Sequence, residues 1–232
     1  MNFPFYIARR YLFSKKSTHA INIISTISAV GVAVATMALV VTLSVFNGFH
    51  DLVASFFTTF DPQLKVVPVS GKTVAADDPT LKTICSLKQV EVATEIVEDM
   101  ALATYNGRQA MVKIKGVEDN FDSLTHIREI LEGDGEYCLH AADMHYGIVG
   151  IRLAERCGMG YTFQNELKIY APKREGQLNL ANPQDGFVEG NLYSPGVLFC
   201  VKQGKYDKNY ILTSIAFARN LFAQQGMVSA VE

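Results

Sequence analysis

The chain has 232 residues, 49% of them hydrophobic, and a formal net charge of −2, which suits one apolar segment plus one domain of ordinary size. The charges are unevenly placed, because Arg9, Arg10, Lys15 and Lys16 precede every acidic residue and leave 23 acidic and only 17 basic residues to the rest of the chain. Nucleic-acid binding depends on clustered cations, so this acidic remainder argues against a nucleic-acid partner.

The first 18 residues predict a short helix at a membrane surface. Phe5, Ala8 and Leu12 share one helical face, whereas Arg9 and Lys16 lie elsewhere around the axis. A segment of this kind lies in the interface while its cations extend to the headgroups. A disordered basic tail is the alternative interpretation of the same composition.

The next segment, Ile21 to Phe49, predicts a transmembrane helix. No Lys, Arg, Asp or Glu occurs between Lys16 and Asp51, and the helix would be roughly 43 Å long, against roughly 30 Å for the hydrocarbon core of a bilayer. A buried core helix is the alternative; a cleaved signal peptide is rejected because the apolar run exceeds the roughly 7–15 residues of its hydrophobic region. Because basic flanks stay in the cytoplasm, we expect the N-terminus inside and the folded part outside.

Small residues within this helix predict contact with a neighbouring helix. Ala29 and Ala33 stand four residues apart, as do Gly31 and Ala35, and such spacing lets a second helix approach closely. The four residues are therefore candidates for helix packing.

Beyond the membrane, apolar residues continue at helical spacing as far as Phe60, and Pro62 ends the pattern. This pattern predicts an amphipathic stalk. The expected organisation is a cytoplasmic interfacial segment at 1–18, a membrane helix with its stalk at 19–60, and an outer domain at 61–232 that is incomplete at its C-terminal end.

The outer domain alternates short strands and helices, so we predict the α+β class. Asn106-Gly107 predicts a two-residue hairpin turn, since both turn positions need positive φ. The expected strands are Leu64–Val69, Val90–Val97, Asp99–Tyr105, Arg108–Val117, Tyr146–Val149, Leu167–Tyr170, Gly196–Val201, Tyr210–Thr213 and Met227–Val231, and the expected helices start at Pro79, Ser123, Ile151 and Ser214. Ala171 to Tyr193 reads as one long loop, which in a compact domain is usually functional or disordered.

Neither metal binding nor enzymatic catalysis has a signature in this chain. Cys138, His140, Asp143 and His145 match no zinc-site spacing, and no nucleophile–base set stands out. We therefore expect no catalytic residue, cofactor or metal. The chain has four cysteines, Cys85, Cys138, Cys157 and Cys200. We expect them to be buried free thiols, with one or two disulfides as the alternative.

Several segments resemble the lipoprotein-releasing ABC transporter permeases of the LolC/LolE type. The most specific is MALVVTLSVFNGF at Met37–Phe49, which is similar to the first transmembrane helix of that family. Further matches are Arg9-Arg10-Tyr11, Asp61-Pro62, Ile148-Val149-Gly150 with Leu153-Ala154, and Ala216-Phe217-Ala218-Arg219 with Leu221. They also fit the wider MacB/FtsX superfamily, and they correspond to about the first half of such a permease, which goes on to three more spans.

This resemblance implies a mixed α/β periplasmic domain of the MacB-like core type on a protein of the bacterial inner membrane. It implies a permease subunit that extracts lipoproteins from the outer leaflet and passes them to a periplasmic carrier chaperone. A cytoplasmic ABC ATPase on another chain, which holds ATP and Mg²⁺, would supply the energy, and a second permease copy or paralogue would complete the pair. Acylated cargo would pass near Val40, Leu43 and Phe46.

The chain departs from the family pattern in two places. Gly158-Met159 stands where the family usually has Gly-Asp, and the loop from Ala171 to Tyr193 is longer. One permease of each family pair recruits the carrier with a hairpin at this loop. The resemblance therefore makes Pro172, Arg174, Leu178 and Phe187 candidates for carrier recruitment, with a plain surface loop as the alternative.

Three other functions are compatible with the sequence. A MacB-like efflux permease and an FtsX-like regulator that transmits movement to a periplasmic hydrolase belong to the same superfamily. A single-span sensor or binding ectodomain is the third alternative.

Overall fold

The computed structural model describes residues 3–12, 19–58, 60, 62, 64–174 and 186–232, without the side chains of 11, 12, 19–22, 51 and 54–58. The chain divides into two compact units, Met1–Val53 and Ala54–Glu232. Each unit is described by itself.

The N-terminal unit is helical, as the sequence predicts. Helix α1 is Phe3–Leu12 and helix α2 is His19–Thr58. The α2 segment Ile23–His50 is long and apolar enough to cross a membrane. Since α2 continues to Thr58, the helical part of the stalk prediction is confirmed.

The second unit is a mixed α/β domain, which confirms the predicted class. Its helices are α3 (Pro79–Cys85), α4 (Phe121–Leu124), α5 (Ile151–Cys157), α6 (Gly204–Asp207) and α7 (Ile215–Leu221), with a 3-10 turn at Ile127–Ile130. Its strands are β1 (Val74–Ala75), β2 (Glu95–Tyr105), β3 (Arg108–Val117), β4 (Leu131–Gly133), β5 (His140–Ala141), β6 (Met144–His145), β7 (Ile148–Gly150), β8 (Leu167–Pro172), β9 (Phe187–Leu192), β10 (Val197–Phe199), β11 (Tyr210–Ser214), β12 (Met227–Val228) and β13 (Ala230–Val231).

A mixed sheet organises the domain. Among the described residues it has nine strands in the order β4-β10-β7-β11-β3-β2-β8-β9, with β13 also pairing β2. The pairs β10–β7 and β11–β3 are parallel and the other pairs are antiparallel. Two small pairs, β1–β12 and β5–β6, lie outside this sheet.

The two faces of the sheet have different covers. Helices α5 and α7 bury one face, where Leu153 and Phe217 pack with Val97 and Ile169. A second apolar cluster covers part of the opposite face and includes Phe60 together with residues of β10 and β11. Because successive strand residues point to opposite faces, β8 and the part of β2 from Met100 onwards bury one side of each strand and leave the other side uncovered.

Backbone geometry confirms the predicted Asn106-Gly107 turn and the predicted helix starts at Pro79 and Ser214. Asn106 and Gly107 have φ of 46° and 78° in the turn between β2 and β3. Asp78 caps α3 by accepting a hydrogen bond from the Thr80 N–H at 2.7 Å. Gly158 ends α5 with φ of 70°, and the Ser214 hydroxyl caps α7.

The helix predicted from Ser123 to Glu132 is wrong. The chain makes the single turn α4, the 3-10 turn and then β4, whose Leu131 pairs with Phe199 of β10. Ile127 is fully buried. Strand pairing and burial of apolar side chains therefore override a spacing that also fits a helix.

Other predicted boundaries also change. Leu64–Val69 is not a strand, because only Val66 makes a bridge, to Val231. The strands predicted at Val90–Val97 and Asp99–Tyr105 are replaced by the single strand β2, which begins only at Glu95. The loop predicted from Ala171 to Tyr193 is shorter, because Phe187–Leu192 is strand β9, paired along its whole length with β8.

Candidate functional site

The candidate residues on α2 are exposed. Val40, Leu43 and Phe46, predicted to lie near the cargo path, have more than half of their surface accessible. The predicted packing residues Ala29, Gly31, Ala33 and Ala35 are also exposed, and a Cβ added at Gly31 would meet nothing within 4 Å. Both roles stay predictions. The exposed surface of α2 leaves room for a neighbouring helix or a lipid chain at these residues.

The β8–β9 hairpin brings together three of the four residues predicted to recruit a carrier. Pro172 and Phe187 are paired at the end of the ladder, both side chains are exposed, and Arg174 follows Pro172 by two residues. Leu178 lies outside the described residues. Antiparallel partners share a face of the sheet, so Pro172 and Phe187 form one small apolar surface.

Arg174 is tied to the sheet. Its guanidinium lies 2.8 Å from the Asp99 carboxylate of β2, and the Lys72 ammonium lies 3.2 Å from the other oxygen of Asp99. Burial alone would raise the pKa of Asp99, but hydrogen bonds from the Met100 N–H, Lys72 and Arg174 hold it below its usual value. The geometry therefore gives Arg174 a role in holding the base of the hairpin.

Apolar side chains, interrupted by the exposed Lys168–Glu189 ion pair at 3.0 Å, continue from the hairpin across the uncovered face of the sheet. Met111 pairs with Leu102, Leu102 with Tyr170, and Tyr170 with Glu189, so these four form a row across β3, β2, β8 and β9. Met111 and Met100 are 56% and 46% exposed. We call this the outer sheet face; its members are Met100, Leu102, Met111, Tyr170, Pro172 and Phe187. An apolar surface that serves no core of its own suits a protein partner.

Phe60 fixes the chain to the domain shortly after α2 ends. Its side chain is 1% exposed, and its ring lies 5.1 Å from that of Phe199 and 4.8 Å from that of Tyr206. Tyr210 meets the same ring edge-on at 5.7 Å. These are favourable aromatic contacts, so the second residue beyond Thr58 is a core residue of the domain.

A partly buried charge network lies beside this phenylalanine. The Lys115 ammonium lies 2.8 Å from Glu232 and stacks on the rings of Phe60 and Phe121 at 5.0 and 4.8 Å. Lys65 joins the two carboxylates, at 2.9 Å from Glu232 and 3.2 Å from Glu98. Lys113 also pairs with Glu98, which accepts a hydrogen bond from the Tyr210 hydroxyl at 3.0 Å. We call Phe60, Lys65, Glu98, Lys113, Lys115 and Glu232 the stalk-root cluster.

The charged groups in this cluster change one another's pKa values. Burial alone would raise the pKa of Glu98, but Lys65, Lys113 and Lys115 lower it to about 2. Burial lowers the pKa of Lys115, whereas Glu232 and Glu98 outweigh burial at Lys65 and raise its pKa. The Lys115–Glu232 pair is the fixed part of this cluster, because breaking it leaves an uncompensated buried charge.

Sequence reasoning missed the stalk-root cluster. Its members are far apart in the chain, and Lys113 and Lys115 read as the solvent side of a strand that alternates with Val112 and Ile114. The only local signal was Phe60 at the end of the apolar pattern of α2, immediately before Asp61-Pro62.

The cysteines form no disulfide among the described residues, and the His145 ring lies 3.0 Å from the Ser214 hydroxyl. Cys85, Cys138, Cys157 and Cys200 are free, and only Cys157 is buried, so the predicted burial is right for Cys157 and wrong for exposed Cys85. His140 and His145 face each other in the β5–β6 pair. No group of three metal-ligating side chains is found among the described residues.

Curated relatives of this chain include two lipoprotein-releasing system transmembrane proteins. LolC of Neisseria meningitidis serogroup B is 26% identical over 224 residues, which are 94% of this chain and 50% of LolC. LolE of Haemophilus influenzae is 26% identical over 143 residues, which are 58% of this chain and 33% of LolE. The chain thus spans half or less of the length of these relatives.

One solved structure is similar in outline, the extracellular domain of the noncanonic ABC-type transporter YknZ from Gram-positive bacteria. It has a TM-score of 0.45 and 11% identity, and the match covers 72% of this chain and 81% of that domain. The family model described as the MacB-like periplasmic core domain matches residues 25–178, more than half of the chain. This chain therefore belongs to the MacB-like periplasmic core domain family and resembles the LolC/LolE-type permeases of the MacB/FtsX superfamily.

Proposed function

We propose that this chain is part of a permease subunit that releases lipoproteins from the outer leaflet of the bacterial inner membrane. A separate cytoplasmic ATPase would drive the subunit, and the released lipoprotein would pass to a periplasmic carrier. Similarity to LolC over 94% of the chain supports this assignment within the superfamily. The observation that carries the transfer step is the outer sheet face, which continues from the β8–β9 hairpin.

In this proposal α2 spans the membrane with its N-terminus in the cytoplasm. Arg9, Arg10, Lys15 and Lys16 precede the span, as the distribution of basic residues in cytoplasmic flanks requires. The mixed α/β domain then lies in the periplasm. A second permease copy or paralogue packs against Ala29, Gly31, Ala33 and Ala35 of α2.

Acyl chains of the cargo pass along α2 near Val40, Leu43 and Phe46. These three side chains are exposed and apolar. Burial of an acyl chain contributes about 0.8 kcal/mol per methylene group, so an apolar path needs no polar recognition group.

The carrier docks on the outer sheet face in this proposal. Phe187 and Pro172 lie at one end of that face, Met111 lies on β3 at the other, and Leu102 and Tyr170 connect them. Methionine is common at surfaces that adapt to varied apolar ligands because its side chain is flexible and polarizable. Arg174 positions the hairpin through Asp99 while Pro172 and Phe187 make contact.

A depletion strain tests both parts of the proposal. Lipoproteins should accumulate in the inner membrane when the protein is depleted, and the wild-type gene should restore their transfer. Met111→Glu should restore transfer poorly because it places a charge beside Leu102, among the apolar members of the outer sheet face. Met144→Glu is the matched control, since Met144 is 48% exposed on β6, outside the outer sheet face.

Two outcomes would count against the proposal. Unchanged lipoprotein sorting after depletion would remove lipoprotein release and favour an efflux permease or a regulator of the same superfamily. Equal rescue by Met111→Glu and the wild type would remove the outer sheet face as the docking surface.

A further inference from the structure

The edge of β2 opposite β3 has a gap in its strand pairing. Strand β13 pairs with β2 at Ile96 and strand β8 pairs with it from Leu102 to Thr104. Glu98 and Asp99 lie between these two partners. The Glu98 N–H donates a hydrogen bond to the Ser229 hydroxyl at 3.0 Å, and the Met100 N–H donates one to the Asp99 carboxylate at 2.9 Å. Side chains rather than a neighbouring strand therefore satisfy this part of β2.

Glu98 and Asp99 are consecutive and connect to different parts of the domain. Successive strand residues point to opposite faces. The Glu98 side chain, 9% exposed, contacts Lys65 and Lys113 in the stalk-root cluster. The Asp99 side chain, 17% exposed, contacts Arg174 at the base of the β8–β9 hairpin.

The Glu98 side of this pair holds the segment that follows α2. Lys65 contacts Glu98, and the adjacent Val66 exchanges two backbone hydrogen bonds with Val231, at 2.8 and 3.0 Å. Phe60 is buried among aromatic rings at the start of the same segment. Lys65 and Val66 are therefore held to β2 and β13 by an ion pair and a backbone bridge, and Phe60 is held by the rings of Phe199, Tyr206 and Tyr210.

We propose that Glu98 and Asp99 are positioning residues that couple the segment after α2 to the β8–β9 hairpin. A displacement of Lys65 acts on Glu98, the peptide bond carries it to Asp99, and Asp99 carries it to Arg174. The coupling itself does not depend on the identity of any partner. The purpose of this coupling would be to adjust the docking hairpin when α2 moves, and that purpose rests on the proposed function.

The unpaired edge gives this step freedom to move. A strand held on both edges shifts only with its neighbours, whereas residues 98 and 99 are held on one edge by side-chain hydrogen bonds that can re-form after a small displacement. A chain of successive contacts establishes a physical path between two sites. Energetic coupling along that path has to be measured on variants.

Hydrogen exchange of the full chain in detergent micelles, read by mass spectrometry, measures this coupling. Lys65→Ala should raise the exchange rate of β8 and β9 amides by at least about twofold, the lower end of effects between coupled sites. Asp99→Asn should do the same. In the double variant the exchange rate of these amides should be only slightly higher than in the faster single variant, because both changes break one chain of contacts.

Conservative and remote variants separate coupling from general loosening. Lys65→Arg keeps the cation and should exchange like the wild type. Lys65→Met, which keeps the aliphatic stem, replaces Lys65→Ala if the latter does not fold. Lys82→Ala removes an exposed ion pair with Asp77 outside the cluster and should change nothing in the hairpin.

Two results would overturn the coupling. One is faster hairpin exchange in Asp99→Asn but not in the Lys65 variants, since the hairpin would then be held only locally. The other is an equal rise in β4 and β10, at the far side of the sheet, since this would indicate general destabilisation. Carrier docking is measured separately on the outer sheet face, so either proposal can fail alone.

Discussion

The ammonium of Lys115 and the carboxylate of Glu232 lie 2.8 Å apart, with side-chain exposures of 2% and 0%. Removing one partner of a buried pair leaves an uncompensated charge, so Lys115→Met should lower the free energy of unfolding by about 3–5 kcal/mol. Denaturant titration of the chain in detergent, followed by circular dichroism, measures this loss.

The double variant Lys115→Met/Glu232→Met should recover part of that loss, because an apolar pair often matches a buried ion pair in stability. Recovery is incomplete because Lys65 loses a partner as well. Lys82→Met, at an exposed pair with Asp77, is the control and should leave stability nearly unchanged, because solvent screens an exposed ion pair. Equal losses of unfolding free energy in Lys115→Met and Lys82→Met would show that Lys115 is not part of a buried ion pair.

Phe60→Ala should destabilise the mixed α/β domain by about 3–5 kcal/mol, because it leaves a cavity among Phe199, Tyr206 and Tyr210. Phe60→Leu should cost less, because it fills most of the space. The midpoint of thermal unfolding measures both effects. Phe46→Ala, on the exposed surface of α2, should leave that midpoint unchanged, and a midpoint insensitive to Phe60→Ala would show that Phe60 is not part of the core.

Acid should weaken the domain through Glu98. Its pKa is about 2 when folded and 4.5 is its ordinary value, so its ion pairs stabilise the fold fully above pH 4.5 and lose this contribution as the pH falls towards 2. Glu98→Gln should be less stable than the wild type at pH 7, by on the order of 3 kcal/mol. The difference should shrink towards pH 2; a difference that stays constant with pH would show that charge is not its origin.

The turn between β2 and β3 should depend on Gly107. Its φ of 78° is unfavourable for residues with a Cβ, so Gly107→Ala should cost about 1 kcal/mol or more. Asn106→Gly should be nearly neutral, because glycine accepts the same backbone conformation. Thermal unfolding compares the two variants, and equal midpoints would mean that the turn tolerates a side chain at Gly107.

Local chemistry explains which parts of this fold could be predicted from sequence. The uncharged run that forms α2, the Asn106-Gly107 turn and the Ser214 cap each depend on neighbouring residues alone. Gly158 likewise marks the end of α5 because glycine adopts positive φ readily. Such features need no knowledge of the remaining chain.

Long-range pairing explains what was missed. Leu131 joins β4 because Phe199 lies beside it, and Phe187 begins β9 because Pro172 faces it across the hairpin. Lys115 is buried because Glu232, 117 residues away, reaches it. Nothing near Lys115 in the sequence distinguishes it from a solvent-exposed lysine on a half-buried strand.

Lipoprotein release from proteoliposomes tests the proposed function most directly. The full-length protein, reconstituted with its copurified ATPase and an acylated lipoprotein, should release that lipoprotein into solution only when ATP and a soluble periplasmic carrier are both present. Met111→Glu should reduce release and Met144→Glu should not. Lipoprotein that stays in the membrane with the wild-type protein, ATP and carrier all present would contradict the assignment.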